Sequence, residues 1–203
     1  ADHTDKCYTT SDVRKTVNSA NYGDTVNFKI GVDGVAYKKN EQIVTYYYIK
    51  DTLGAGFVEF DPDDNDIVVK VTNAAGTQST LVEDTDYSLF FNENNNSFQI
   101  IIKTAEGNAI TGTDPTKYTW DPKFGTNFQI EVTYSAKIDK DDDVVIAGAG
   151  NPNTANYYAE TETYDPDVPE GNEPPTPDHP DPFDPEDPVP YENTKTTTTY
   201  VYA

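Results

Sequence analysis

No methionine occurs in the sequence, cysteine occurs once, at Cys7, and histidine twice, at His3 and His179. A single cysteine cannot close an internal disulfide, so a sulfur bridge is excluded as the reinforcement of this fold. Cys7 is not read as a nucleophile, and the two isolated histidines suggest neither a zinc site nor a catalytic triad. Positive charge is scarce as well. Fourteen Lys and Arg stand against 36 Asp and Glu, a formal net charge of −22 that repels phosphate backbones and anionic membranes. Nucleic-acid binding is excluded on that ground. No apolar run reaches the roughly 18 residues of a membrane helix, so no membrane insertion is expected. No basic-then-apolar leader opens the chain, which reads as a mature or excised segment.

What the sequence does contain is β-forming. The hydrophobic fraction of 35% is low, but 15 Tyr and 9 Phe compensate and favour strands over helices. Apolar residues alternate with polar ones through Val26, Phe28 and Ile30, through Phe98, Ile100 and Ile102, and through Phe128, Ile130, Val132 and Tyr134. This period of two predicts half-buried strands. Turn-rich clusters at Asp61 to Asp66, Asn92 to Asn96 and Asp139 to Asp143 punctuate them, spaced as in an antiparallel sandwich. The runs Ile43 to Ile49 and Ile67 to Val71 predict strands covered on both faces. No long amphipathic helix is evident.

Residues 1–203 are read as one domain with an excursion. Ten of the fourteen prolines lie between Asp165 and Pro190 among Asp and Glu. Such a segment cannot be a central strand or a helix interior, and is expected to form an extended acidic strap or linker over 165–190. After it, 194–203 returns to β-type residues and is expected to be a closing strand.

Five stretches carry a resemblance. They are Lys15-Thr16-Val17 followed by Tyr22-Gly23-Asp24-Thr25-Val26-Asn27-Phe28-Lys29-Ile30; Tyr48-Ile49-Lys50-Asp51-Thr52-Leu53 with Gly56-Phe57; Ile130-Glu131-Val132-Thr133-Tyr134-Ser135-Ala136; Gly150-Asn151-Pro152-Asn153-Thr154-Ala155; and Thr197 to Tyr202. In this order they resemble the isopeptide-forming middle domain of Gram-positive, sortase-assembled fimbrial shaft proteins. The resemblance implies an all-β, immunoglobulin-like sandwich of the collagen-adhesin type, with long loops. It also implies an amide bond between a first-strand lysine, matched by Lys15, and a late-strand asparagine. Asn153 best takes the latter position, and Asn151, of the same strand parity, is the alternative. Asp51 matches the acidic residue beside the pair. After Asn153 the sequence reads Thr-Ala-Asn-Tyr-Tyr-Ala-Glu, where the family has an alternating aliphatic strand.

The chemistry follows from general principles. A solvated lysine, with a pKa near 10.4, is protonated at neutral pH and cannot attack. Burial lowers an amine's pKa and raises a carboxylic acid's, so a buried Lys15 becomes a nucleophile while a buried Asp51 keeps a proton to shuttle. The product is an amide, with ammonia lost and no cofactor or metal involved. Such a chain reacts once with itself and is not an enzyme.

The implied role is that of a structural domain in a surface pilus or wall-anchored adhesin. Its partners would be neighbouring pilin subunits joined by sortase through motifs beyond this segment, and its location extracellular and attached to the cell wall. The alternative is a ligand-binding module for a host protein or glycan, using the tyrosine-rich surface. A glycoside-cleaving enzyme ranks third, because no carboxylate pair lies in a catalytic motif.

Each residue also has a plainer reading. Lys15 fits a solvated strand position, Asp51 a strand-end turn, and Gly148 to Asn153 a loop. Glu131 is a rival acid, placed by its neighbours on the opposite face. The clusters 61–66 and 139–143 lack the glycine and distal glutamate of a calcium loop and read as solvated turns. Trp120 reads as a packing aromatic.

Overall fold

The computed structural model describes residues 9–13, 24–35, 37–38, 42–59, 61, 65–103, 108–109, 119–120, 123–125, 127–139, 151–163, 167 and 194–201. The described elements are thirteen strands and one short 3-10 turn. The first sheet runs in the order β1 (Thr9–Val13), β2 (Thr25–Val35), β11 (Asn127–Lys137), β5 (Val68–Asn73), β6 (Gln78–Thr80). The second runs β13 (Thr194–Val201), β12 (Asn151–Thr163), β4 (Gln42–Leu53), β8 (Ser97–Lys103), β7 (Tyr87–Asn92), with β3 (Tyr37–Lys38) paired to β4. A small third pair joins β9 (Asn108–Ala109) to β10 (Thr119–Trp120). Every named strand pair is antiparallel. This is the all-β, immunoglobulin-like sandwich expected from the sequence.

The period-two pattern explains how the two main sheets bury one face each. Val26, Phe28, Ile30 and Val32 of β2 and Phe128, Ile130, Val132 and Tyr134 of β11 point into the core from one side. Tyr47, Ile49 and Leu53 of β4 and Phe98, Ile100 and Ile102 of β8 meet them from the other. Antiparallel register keeps opposed residues on the same face: Phe28 stands opposite Tyr134, and Ile49 opposite Ile100. At one side β1 of the first sheet lies against β12 and β13 of the second.

Two expectations about continuous runs came out differently. The run Ile43 to Ile49 lies within β4, and from Tyr46 to Ile49 it is buried on both faces, because Tyr46 and Tyr48 join Tyr158 and Ile101 in a separate cluster on the outer side of the second sheet. By contrast, the run Ile67 to Val71 is not covered on both faces. Only Val69 and Val71 are fully buried there, while Val68 and Lys70 are half exposed, since β5 has just one face against the core.

Within 194–203, Thr194–Val201 form β13, paired to β12 from Asn151–Val201 to Tyr158–Thr194. The proline-rich strap falls outside the described residues except for the exposed Asp167. Asn65, within the turn cluster 61–66, is not solvated but buried. Its side chain accepts from the Asp61 amide at 2.7 Å and donates to the Ser135 carbonyl, clasping that turn to β11.

Candidate functional site

β4 and β12 are neighbours at the centre of the second sheet, and their register sets the site. Asn153 stands opposite Leu53 and Ala155 opposite Asp51, so Asp51 and Asn153 are diagonal partners on the inward face. From the first sheet, β11 brings Tyr134 toward them across the core. The Tyr134 hydroxyl donates to Asp51 Oδ2 at 2.6 Å. The Asn153 Nδ2 amide in turn donates to the Tyr134 oxygen. The result is a short chain, carboxamide to phenol to carboxyl, with Asp51 and Asn153 both wholly inaccessible to solvent.

Aromatic rings wall this chain off from water. Phe28 stacks on the Tyr134 ring with centroids 5.3 Å apart, Phe98 meets it edge-on at 5.0 Å, and Phe57 packs edge-on against Phe28 at 5.8 Å. Desolvation dominates the electrostatics. It pushes the Asp51 carboxyl up to about 8, and the Tyr134 hydrogen bond pulls back only in part. Burial likewise raises the Tyr134 phenol well above its ordinary value, with the neighbouring Asp51 adding to the effect. Asp51 therefore holds its proton at neutral pH, and Tyr134 stays un-ionised.

Two atoms in the cluster have no partner among the described residues: Asp51 Oδ1 and Asn153 Oδ1 are buried without a hydrogen bond there. A buried polar atom left alone costs about 1–3 kcal/mol, a cost that structural packing alone does not explain. Their chemistry is complementary: a protonated Asp51 offers an O–H, and a carboxamide oxygen is a strong acceptor. Polarising the Asn153 carbonyl makes its carbon electrophilic.

Asp51 is thus an interior strand residue, not a strand-end turn, and Asn151 and Asn153 lie on β12, not in a loop. Asn151 is equally buried, but its Oδ1 packs against Gly56, where a Cβ would lie only 2.1 Å away. It stands opposite Val201 of β13. Lys15 lies outside the described residues, as do His3, Cys7 and His179. Glu131 is half-buried on the other face of β11, opposite Gly31 and Lys70. Trp120 is on β10. The acidic clusters 61–66 and 139–143 are only partly described. Among the described residues no three His, Cys, Asp or Glu side chains gather as a metal site.

Tyr134 is the functional candidate that the sequence did not single out. It occupies an inward position in an otherwise apolar alternation, and a buried tyrosine hydroxyl needs a partner. That was the available signal.

No protein-family model matches the chain, and no curated protein sequence does. Solved structures do. The chain is similar to the pilus 2b backbone protein of group B streptococcus, at 26% identity and a TM-score of 0.55, covering 77% of this chain and 53% of that one. It is also similar in fold to the T6 backbone pilin of serotype M6 Streptococcus pyogenes, at 16% identity and a TM-score of 0.51, covering 97% of this chain and 36% of that one. The chain therefore spans about half the length of the first and about a third of the second, and it has the fold of Gram-positive pilus backbone domains.

Proposed function

We propose that the chain is a structural domain of a Gram-positive surface pilus shaft, stapled by an amide bond that it forms itself between Lys15 and Asn153. The observation that carries this reading is the dry hydrogen-bonded chain from the Asn153 carboxamide through the Tyr134 hydroxyl to the Asp51 carboxyl, inside a fold shared with pilus backbone proteins. Lys15 is taken from the resemblance; it follows β1 in sequence, where Ser11 and Val13 stand opposite the inward residues Ile30 and Phe28. The contact of β1 with β12 supports a bond across the two sheets.

In this reaction the neutral Lys15 amine attacks Asn153 Cγ. Asp51 gives its proton to the oxygen that gains charge and takes up the surplus proton of the new C–N bond. Ammonia leaves, and the product is an amide. Folding supplies the proximity, an effect worth up to about 7–11 kcal/mol in well-oriented cases. The bond would close a loop of about 140 residues, which by analogy with a disulfide stabilises the domain by about 4–5 kcal/mol, and no reductant reverses it. Attachment to the cell wall and sortase-made links to neighbouring subunits belong to the same reading.

Intact-mass measurement tests it. The folded chain is expected about 17 Da below its sequence mass, the loss of one ammonia. Lys15→Ala and Asn153→Ala should restore the full mass, while Asn151→Ala should keep the deficit. An unshifted mass on folded parent protein refutes the bond.

One observation favours a second role, contact with a ligand. Phe90 and Phe91 are exposed on β7, and Phe90 helps line a groove of about 330 Å³ with Lys50, Gln99 and Ile101. A host protein or glycan is the ligand class for that surface.

A further inference from the structure

We infer that the Tyr134 hydroxyl is a catalytic group of the cross-linking reaction, carrying the proton that lets the Asn153 nitrogen leave as ammonia. The inference rests on the proposed Lys15–Asn153 bond and adds a step that Lys15, Asn153 and Asp51 do not supply by themselves.

The amide nitrogen of a carboxamide is a poor leaving group until it is protonated, and a buried site has no bulk water to do this. Asp51 is the proton source, yet its hydrogen bond is to Tyr134 and not to Asn153 Nδ2. The phenol stands between them: it donates to Asp51 Oδ2 and accepts from Asn153 Nδ2. In the resting site the amide nitrogen is planar and not basic, so its N–H donates. Once the Lys15 amine has added to Cγ, that nitrogen becomes tetrahedral, gains a lone pair, and becomes the acceptor. Both hydrogen bonds then reverse direction without any heavy atom moving far.

The step balances. Asp51 has by then taken the surplus proton from the attacking nitrogen. It passes that proton to the Tyr134 oxygen, while the Tyr134 hydroxyl hydrogen moves to Nδ2. The Cγ–Nδ2 bond breaks with its electron pair on nitrogen, and ammonia departs. The adduct's hydroxyl proton returns to the carboxylate as the carbonyl re-forms. Asp51 and Tyr134 end as they began, and no oxidant, reductant or added reagent is consumed. Because burial keeps the Tyr134 phenol un-ionised, its proton is present to give throughout the neutral range.

Tyr134→Phe removes the oxygen and keeps the ring that packs on Phe28 and Phe98. The full chain, recovered unfolded in urea and started by dilution, is followed by intact mass for the cross-link and by circular dichroism for folding. Relative to the parent, the variant should fold but lose ammonia at least about a hundredfold more slowly, the usual loss for a missing acid–base group. If the parent loses about 17 Da and the folded variant does so at the parent's rate, the relay is wrong while the bond stands. If the parent itself shows no loss, the bond is refuted and the relay falls with it.

A ring-fluorinated tyrosine at position 134 is the second test, applicable if the phenylalanine variant does not fold. Its phenol is the same size but a stronger acid, so it ionises and stops donating at lower pH. Because Asp51, at about 8, sets the basic limb of the profile, the readout is the rate at neutral pH: it should change on ring fluorination, and an unchanged rate overturns the inference, since a purely packing role is indifferent to phenol acidity.

Discussion

Asp51→Asn is expected to turn a pH-dependent core into a pH-independent one. Asp51 is fully buried and its carboxyl is pushed up to about 8, whereas in the unfolded chain such a group titrates near 3.9. Between these values the native state binds a proton that the unfolded state releases. Stability therefore falls as pH rises: the contribution is complete below about pH 4 and is lost progressively as pH climbs through about 8. A difference of one bound proton is worth about 1.36 kcal/mol per pH unit. Between pH 5 and pH 7 the aspartate form should thus lose about 3 kcal/mol relative to the carboxamide form. The replacing carboxamide matches the acid in size, accepts from Tyr134, and offers a donor on its other side. The assay is urea unfolding at several pH values, with both chains in a Lys15→Ala background so that no cross-link intervenes. The other 35 acidic residues (36 less Asp51) are common to both and cancel in the difference. A stability difference that is flat from pH 5 to pH 7, or that changes with the opposite sign, refutes the claim that Asp51 is held neutral by burial.

Two further outcomes can be measured. Gly34→Ala should lower stability by about 1–3 kcal/mol, read as a lower urea midpoint at unchanged slope. The added Cβ would sit 2.2 Å from the Phe128 ring, which Tyr47 and Phe124 hold edge-on from other sides. If the groove beside β7 takes a ligand, a host protein or glycan found in a direct binding screen should lose at least about tenfold in affinity on Phe90→Ala, a cost of about 1.4 kcal/mol or more. Unchanged binding moves the contact elsewhere.

The strands that carry the core were legible because one face of each is dry. Val26 to Ile30, Phe98 to Ile102 and Phe128 to Tyr134 show the alternation that burial on one side imposes, and each became a strand. Ile67 to Val71 misled, because β-branched residues run together there for their strand preference although only Val69 and Val71 are fully buried. Asp51 and the two asparagines could not be placed by local chemistry, which favours turns and loops for these residue types. Their burial is set by strand pairing over about a hundred residues of sequence, a non-local fact visible only through the resemblance. Asn65 was missed for the same reason, as its partner Ser135 is 70 residues away. Tyr134 was read correctly as inward-facing, but its role depends on an acid and an amide from the opposite sheet, and no spacing along β11 encodes that.

The division of the cluster between sheets gives it the character of a proofreading device. Its hydroxyl comes from β11 and its carboxyl and carboxamide from the β4–β12 pair, so the three groups are assembled only when both sheets have closed in register. A slip of one residue between β12 and β4 would turn Asn153 out to solvent and leave Asp51 facing nothing it can act on. If the proposed cross-link forms, misfolded chains would stay chemically silent and open to proteolysis, while correctly paired ones would lock themselves. The accuracy of strand pairing, transient in most β-sandwiches, would here be written permanently into the covalent structure.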